Sequence, residues 1–124
     1  MNATSQSTPK VCDVKACDNA ALQFQNSGPQ WGESSDELNV TALSWENGKG
    51  VQAHINAELD VCIVVIAGEG EAIIDDEKFV LRPGVALVIP KGSTRAIASS
   101  SERLTYYSIH RRRPGLMPKF AGTK

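Results

Sequence analysis

The sequence predicts an all-β protein of one domain, folded as a sandwich or barrel. Three observations carry this. From Glu37 onward, short runs of apolar and β-branched residues alternate with clusters of Gly, Pro, Asn and Asp; no helical period of ten or more residues interrupts them; and 124 residues suffice for one hydrophobic core but not two.

The elements follow in order. Residues 1–10 are rich in Ser, Thr and Asn without an apolar period, which predicts a flexible tail, with the single domain occupying 11–124. Residues 11–36 yield no clear pattern; Lys10-Val14 and Ala21-Gln25 are short strand candidates, with Asn26-Ser27-Gly28-Pro29 as a turn. Strands are then expected over Glu37–Trp45, Val51–Asn56, Val61–Ala67, Glu71–Ile74, Lys78–Arg82, Val85–Ile89, Thr94–Ala98 and Arg103–His110. Asp75-Asp76-Glu77 reads as the tip of a hairpin and a solvated turn, not a catalytic carboxylate pair. Arg82-Pro83-Gly84 places Pro and Gly where a type II turn requires them, and Pro90-Lys91-Gly92 stops the following strand. Val61–Ala67 is apolar on both faces, so its second face needs a cover; a homodimer partner is the favoured one, a folded-back N-terminal segment the alternative.

Composition excludes several classes of function. Hydrophobic residues at 41% and charged residues at 22% are a soluble globular balance, and no apolar run approaches the roughly 20 residues that span a bilayer. The start, MNATSQSTPK, lacks a basic region followed by an apolar one, which predicts a cytoplasmic protein with Cys12, Cys17 and Cys62 as free thiols. A net charge of -1 argues against nucleic acid as a partner, and Arg111-Arg112-Arg113 is a short run read as a solvated strand end. Trp45, Tyr106 and Tyr107 are expected to fill core or interface.

Two stretches, covering about residues 48–98, resemble the paired motifs of the cupin superfamily. For the first, Gly48 is followed after five residues by His54-Ile55-Asn56, and the motif closes at Gly68; for the second, Gly84, Pro90 and Gly92 fall in register, with Arg95 at the His position and Ser99 at the Asn position. The resemblance implies a single-domain cupin jelly-roll β-barrel. It also implies where metal ligands would fall: His54, Asn56, Val61 and Arg95. A shorter spacer offers Asp60 instead of Val61 but moves the closing Gly onto Ala67, so the longer is preferred.

A transition-metal site needs three or four His, Cys, Asp or Glu ligands, and this set keeps one; an always-protonated guanidinium stands where an imidazole should donate. His110 could join His54, though it lies outside both motifs. No metal and no other cofactor is expected. On the implied barrel His54, Asn56 and Arg95 face the interior among Val, Ile and Leu walls, which suits a small organic ligand with an anionic or carbonyl end held by Arg95. The alternatives are a metal-dependent oxygenase or isomerase-like enzyme using His54, and a structural or regulatory dimeric module. Each residue also has a plain structural reading: Arg95 paired with Asp60 or Glu58, His54 a satisfied strand histidine, Asn56 a loop-fixing side chain.

Overall fold

Short β-branched runs between turn residues become nine strands among the described residues: β1 (Gly28–Ser34), β2 (Leu38–Glu46), β3 (Gly50–Ile55), β4 (Val61–Ala67), β5 (Gly70–Ile74), β6 (Glu77–Leu81), β7 (Ala86–Ile89), β8 (Thr94–Ser99) and β9 (Arg103–Arg111). The structure, a computed structural model, describes residues 9–13, 15–16 and 26–112. The strands form two sheets, ordered β1-β2-β9-β4-β7 and β3-β8-β5-β6, with antiparallel pairing throughout. The chain passes repeatedly between the two sheets, and they face one another as a jelly-roll β-barrel, the all-β class that the strand pattern predicts. No helix among the described residues is long and apolar enough to cross a membrane.

The expected strand from Glu37 to Trp45 and its seven successors form within one or two residues of the boundaries read from sequence, β4 without any shift. The N-terminal region differs. Gly28 and Pro29, expected in a turn, begin β1, which lies at the edge of its sheet with a bulge between Pro29 and Trp31. An edge strand with a bulge tolerates Pro, because the missing N–H faces no ladder partner. Lys10–Asp13 form no strand; Val14 and Ala21–Gln25 lie outside the described residues, as do the tail's first eight residues, Cys17 and Arg113.

The turns obey their residues. Gly84 has φ +92°, and the Val85 N–H donates to the Arg82 carbonyl at 3.0 Å, closing the type II turn that Pro83-Gly84 predicts. The hairpin from β5 to β6 turns on Asp75 and Asp76 alone, at φ 49° and 73°, since Ile74 pairs with Glu77. Two successive positive φ values make this a type I′ turn, which favours Gly at its second position. Asp75 is held there, its carboxylate accepting the Thr94 N–H at 2.9 Å, whereas Asp76 forms no side-chain bond to the described residues. Asp76→Gly is therefore expected to raise stability by about 0.5–1 kcal/mol, read as a higher urea midpoint at unchanged m-value; a lower midpoint would contradict the turn assignment.

Register orders the inner face of the larger sheet into rows, because directly paired residues put their side chains on one side. Leu43, Tyr106 and Val65 form one row, Thr41, Ser108 and Ile63 the next, and Asn39, His110 and Val61 the last. Ile63, Val65, Leu81, Leu104 and Tyr106 are all at most 1% exposed and form the core with Ala72 and Ile97 of the smaller sheet. The Trp45 indole N–H donates to the Tyr106 hydroxyl at 3.0 Å, so both aromatic residues serve the core as their size predicts. One end of the barrel is thus packed with apolar side chains. Row by row, the other becomes polar.

The outer face of the larger sheet carries the second apolar side of β4. Cys62, Val64 and Ile66 are half-buried there. Tyr107, paired with Val64, donates its hydroxyl to the Cys12 carbonyl at 3.2 Å, and Lys10 reaches the Ser34 carbonyl at 3.0 Å. The N-terminal residues therefore contribute part of the cover, over a cavity of about 460 Å³ lined by Cys12, Trp31, Val40, Tyr107 and Ile109. Nearby, buried Arg103 donates to the Asn26 carbonyl and, at 3.2 Å, to the Ser44 hydroxyl, tying β9 to the chain entering β1. Cys62 is a free thiol.

The open end of the barrel as candidate functional site

Alternation along β8 puts Ser93, Arg95, Ile97 and Ser99 on the buried side and Thr94 and Ala98 outside. Arg95 consequently enters the barrel beside Ile97 and is only 4% exposed. Its Nη2 donates to the Pro90 carbonyl at 3.1 Å, while its Nε, fully buried, has no hydrogen-bond partner. Burial pulls its pKa below the usual arginine value, and the charges of Asp60 and Asp75 pull it back. Neither carboxylate pairs with it: among the described residues Arg95 takes part in no ion pair. The Asp60 carboxylate instead accepts the Lys91 N–H at 2.8 Å. A buried guanidinium with an idle donor is costly to keep.

His54 is the cross-strand partner of Arg95, but it lies at the sheet edge and is exposed, its Nδ1 3.0 Å from the Gln52 carbonyl. The structure therefore brings His54 and Arg95 together at one end of the barrel without burying both. Asn56 is used differently from the interior role expected of it. Its side-chain carbonyl accepts the N–H groups of Glu58 at 3.0 Å and Leu59 at 3.1 Å, an Asx turn that fixes the loop into β4.

At the same end of the barrel, the inner face of the larger sheet carries residues that the motif reading left out. The Arg95 anchor, Pro90, follows Ile89, which pairs with Val61, and Val61 pairs with His110. His110 in turn pairs with Asn39, whose amide donates to the imidazole Nε2 at 3.2 Å. The Arg111 carbonyl, 3.0 Å from Nδ1, can only accept, so Nδ1 carries the proton and Nε2 accepts. Asn39, Thr41, Ser108 and His110, all half-buried, make the polar wall of the site, with Ile63 and Leu87 as apolar floor. Alternation along β2 and β9 was the available signal. It was ambiguous, because the same strands carry Val40, Ala42, Tyr107 and Ile109 on the opposite face, and an apolar-inward reading would turn Asn39 and His110 outward.

The positions where a cupin's ligands would fall do not fit a divalent cation. Val61 is an apolar core residue, Arg95 repels a cation, Asn56 is committed to the backbone, and Asp60 holds Lys91. Among the described residues no three His, Cys, Asp or Glu side chains gather closely enough to hold a metal ion.

Comparison with known proteins agrees with this architecture. A family model described as the cupin domain matches residues 43–110. No curated protein matches the chain. Among solved structures, BH2720 of Bacillus halodurans is similar over 90% of this chain and 87% of its own, at 18% identity and a TM-score of 0.72. A Streptococcus pyogenes protein of unknown function, SPY1581, is similar over 92% of this chain and 100% of its own, at 20% identity and a TM-score of 0.70. A cupin superfamily protein of Desulfitobacterium hafniense, DSY2733, reaches 25% identity over 65% of this chain and 72% of its own, with a TM-score of 0.59.

Proposed function

The chain belongs to the cupin domain family, whose model matches residues 43–110, and from that premise we propose that it binds a small organic ligand with a carboxylate or carbonyl end, without a metal, at the open end of the barrel. One observation carries the reading: the buried guanidinium of Arg95, with an Nε that no protein group satisfies. A ligand oxyanion in direct contact supplies the missing acceptor, and a short charge-assisted bond outweighs the through-space influence of Asp60 and Asp75 on the same site. His54 on the neighbouring strand adds a second polar contact near the entrance.

The test is thermal unfolding with a panel of small aliphatic, 2-oxo and hydroxy carboxylates. At a ligand concentration near 100 times Kd, binding stabilises by about 2.7 kcal/mol, which raises Tm by several degrees. At least one member should produce such a rise, Arg95→Met should abolish it while keeping the aliphatic stem, and EDTA should leave it unchanged. A rise that survives Arg95→Met would remove the anchor, and one lost on chelation would overturn the metal-free reading.

A further inference from the structure

The anchor reading leaves the opposite wall of the site unused, and the chemistry of that wall narrows the ligand. Asn39, Thr41 and Ser108 share the inner face with Ile63 and Val61. Neither the Thr41 hydroxyl nor the Ser108 hydroxyl has a hydrogen-bond partner among the described residues, and neither is sealed from solvent, since the fully buried unpaired side-chain atoms are those of Arg95 and Arg103. Asn39 uses its amide N–H on His110 and keeps its carbonyl oxygen unengaged. The His110 tautomer, fixed from the other side by the Arg111 carbonyl, holds that amide in one orientation.

The wall therefore presents two hydroxyls and a carbonyl oxygen in adjacent rows on the inner face of the larger sheet, at the end of the barrel that Arg95 enters from the smaller sheet. A purely aliphatic acid would satisfy Arg95 and strip water from this wall without replacing its hydrogen bonds. A ligand with hydroxyl groups along a short carbon chain would satisfy both sides, since hydroxyls donate to Asn39 and exchange either role with Thr41 and Ser108. Facing sheets stand about 10 Å apart, so a chain of only a few carbons bridges the two walls.

We infer that the ligand is a polyhydroxylated carboxylate, its acid group on Arg95 and its hydroxyls on Asn39, Thr41 and Ser108. The inference rests on the anchor reading above.

The probes that separate the two are D-gluconate and hexanoate, acids of equal carbon number that differ in hydroxyl groups, titrated calorimetrically into the wild type, Arg95→Met, Thr41→Val with Ser108→Ala, and Thr41→Ser. Gluconate should bind at least about ten-fold more tightly than hexanoate, as the loss of one or two satisfied hydrogen bonds predicts. In the double variant that preference should fall to about three-fold or less with hexanoate affinity unchanged, and Thr41→Ser, which keeps the hydroxyl, should retain the preference. Equal or tighter binding of hexanoate, lost in Arg95→Met, would overturn the hydroxyl wall and leave the anchor standing; a gluconate preference undiminished in the double variant would overturn the wall as well. Binding of neither acid would overturn both.

Discussion

Gly68→Ala is expected to cost about 4 kcal/mol or more, enough to leave a domain of ordinary stability largely unfolded. Gly68 joins β4 to β5 at φ +80°, and a Cβ there would lie 1.6 Å from the Arg103 carbonyl oxygen and 2.7 Å from its carbon. Both atoms are backbone at the start of β9, so no rotamer change relieves the contact; the strand itself must move, and Leu104 and Tyr106, buried on that strand, must move with it. Gly84→Ala separates the two components of this cost. Gly84 has φ +92° but nothing within 4 Å of a built Cβ, so its substitution carries the conformational term alone, about 1–2 kcal/mol. Urea unfolding of both variants checks the argument: comparable losses at the two positions would mean that close approach to β9 contributes little.

The second large effect lies at high pH. Burial pushes the Tyr106 hydroxyl up to about 12, against an ordinary value of 10.0, and the bond from Trp45 offsets this only in part. The sign follows from which state ionises first. Below pH 10 both states keep the proton and stability is unaffected; between about pH 10 and 12 the unfolded chain loses its proton while the folded one does not, so stability falls. Two pH units correspond to a loss of about 3 kcal/mol. Tyr106→Phe removes this alkaline limb but strands the Trp45 N–H, at a cost of about 1–2 kcal/mol near neutrality. The two proteins should therefore differ at pH 7, meet at about pH 11 and reverse their order by about pH 12, while every other titratable group, common to both, cancels in the comparison. An unchanged alkaline fall in Tyr106→Phe would assign it to another group.

Where a residue's task is local, the sequence announces it. Pro83-Gly84 and Pro90-Lys91-Gly92 dictate turns through their own backbone preferences, and β4 is an unbroken apolar run bounded by Asp60 and Gly68, so these elements were legible with their boundaries. β1 was not, because Gly28 and Pro29 carry the same turn preferences, and only the edge position and the bulge, both tertiary facts, make them compatible with a strand. The site divides similarly. Arg95 enters the barrel from its place in the motif, whereas the Asn56 side chain is taken by an Asx turn, the loop-fixing alternative to an interior role, because its carbonyl lies within reach of the next backbone N–H groups. Asn39, Thr41 and Ser108 were invisible because a polar inner row and a solvent-facing row have the same period of two. Knowing which face is inside requires knowing that Tyr107 packs beneath Cys12.

The place of β9 bears on how the chain is made. It is last among the described strands in chain order yet lies between β2 and β4 in its sheet, so neither neighbour gains its main ladder partner until residues 103–111 have left the ribosome. Through that interval β4 waits with apolar side chains on both faces and no β9 to pair with, a natural target for chaperones and for association between nascent chains. Closure of the barrel is therefore a late, all-at-once event, and a stalled or truncated translation product that lacks β9 leaves the ribosome with its most adhesive strand unprotected.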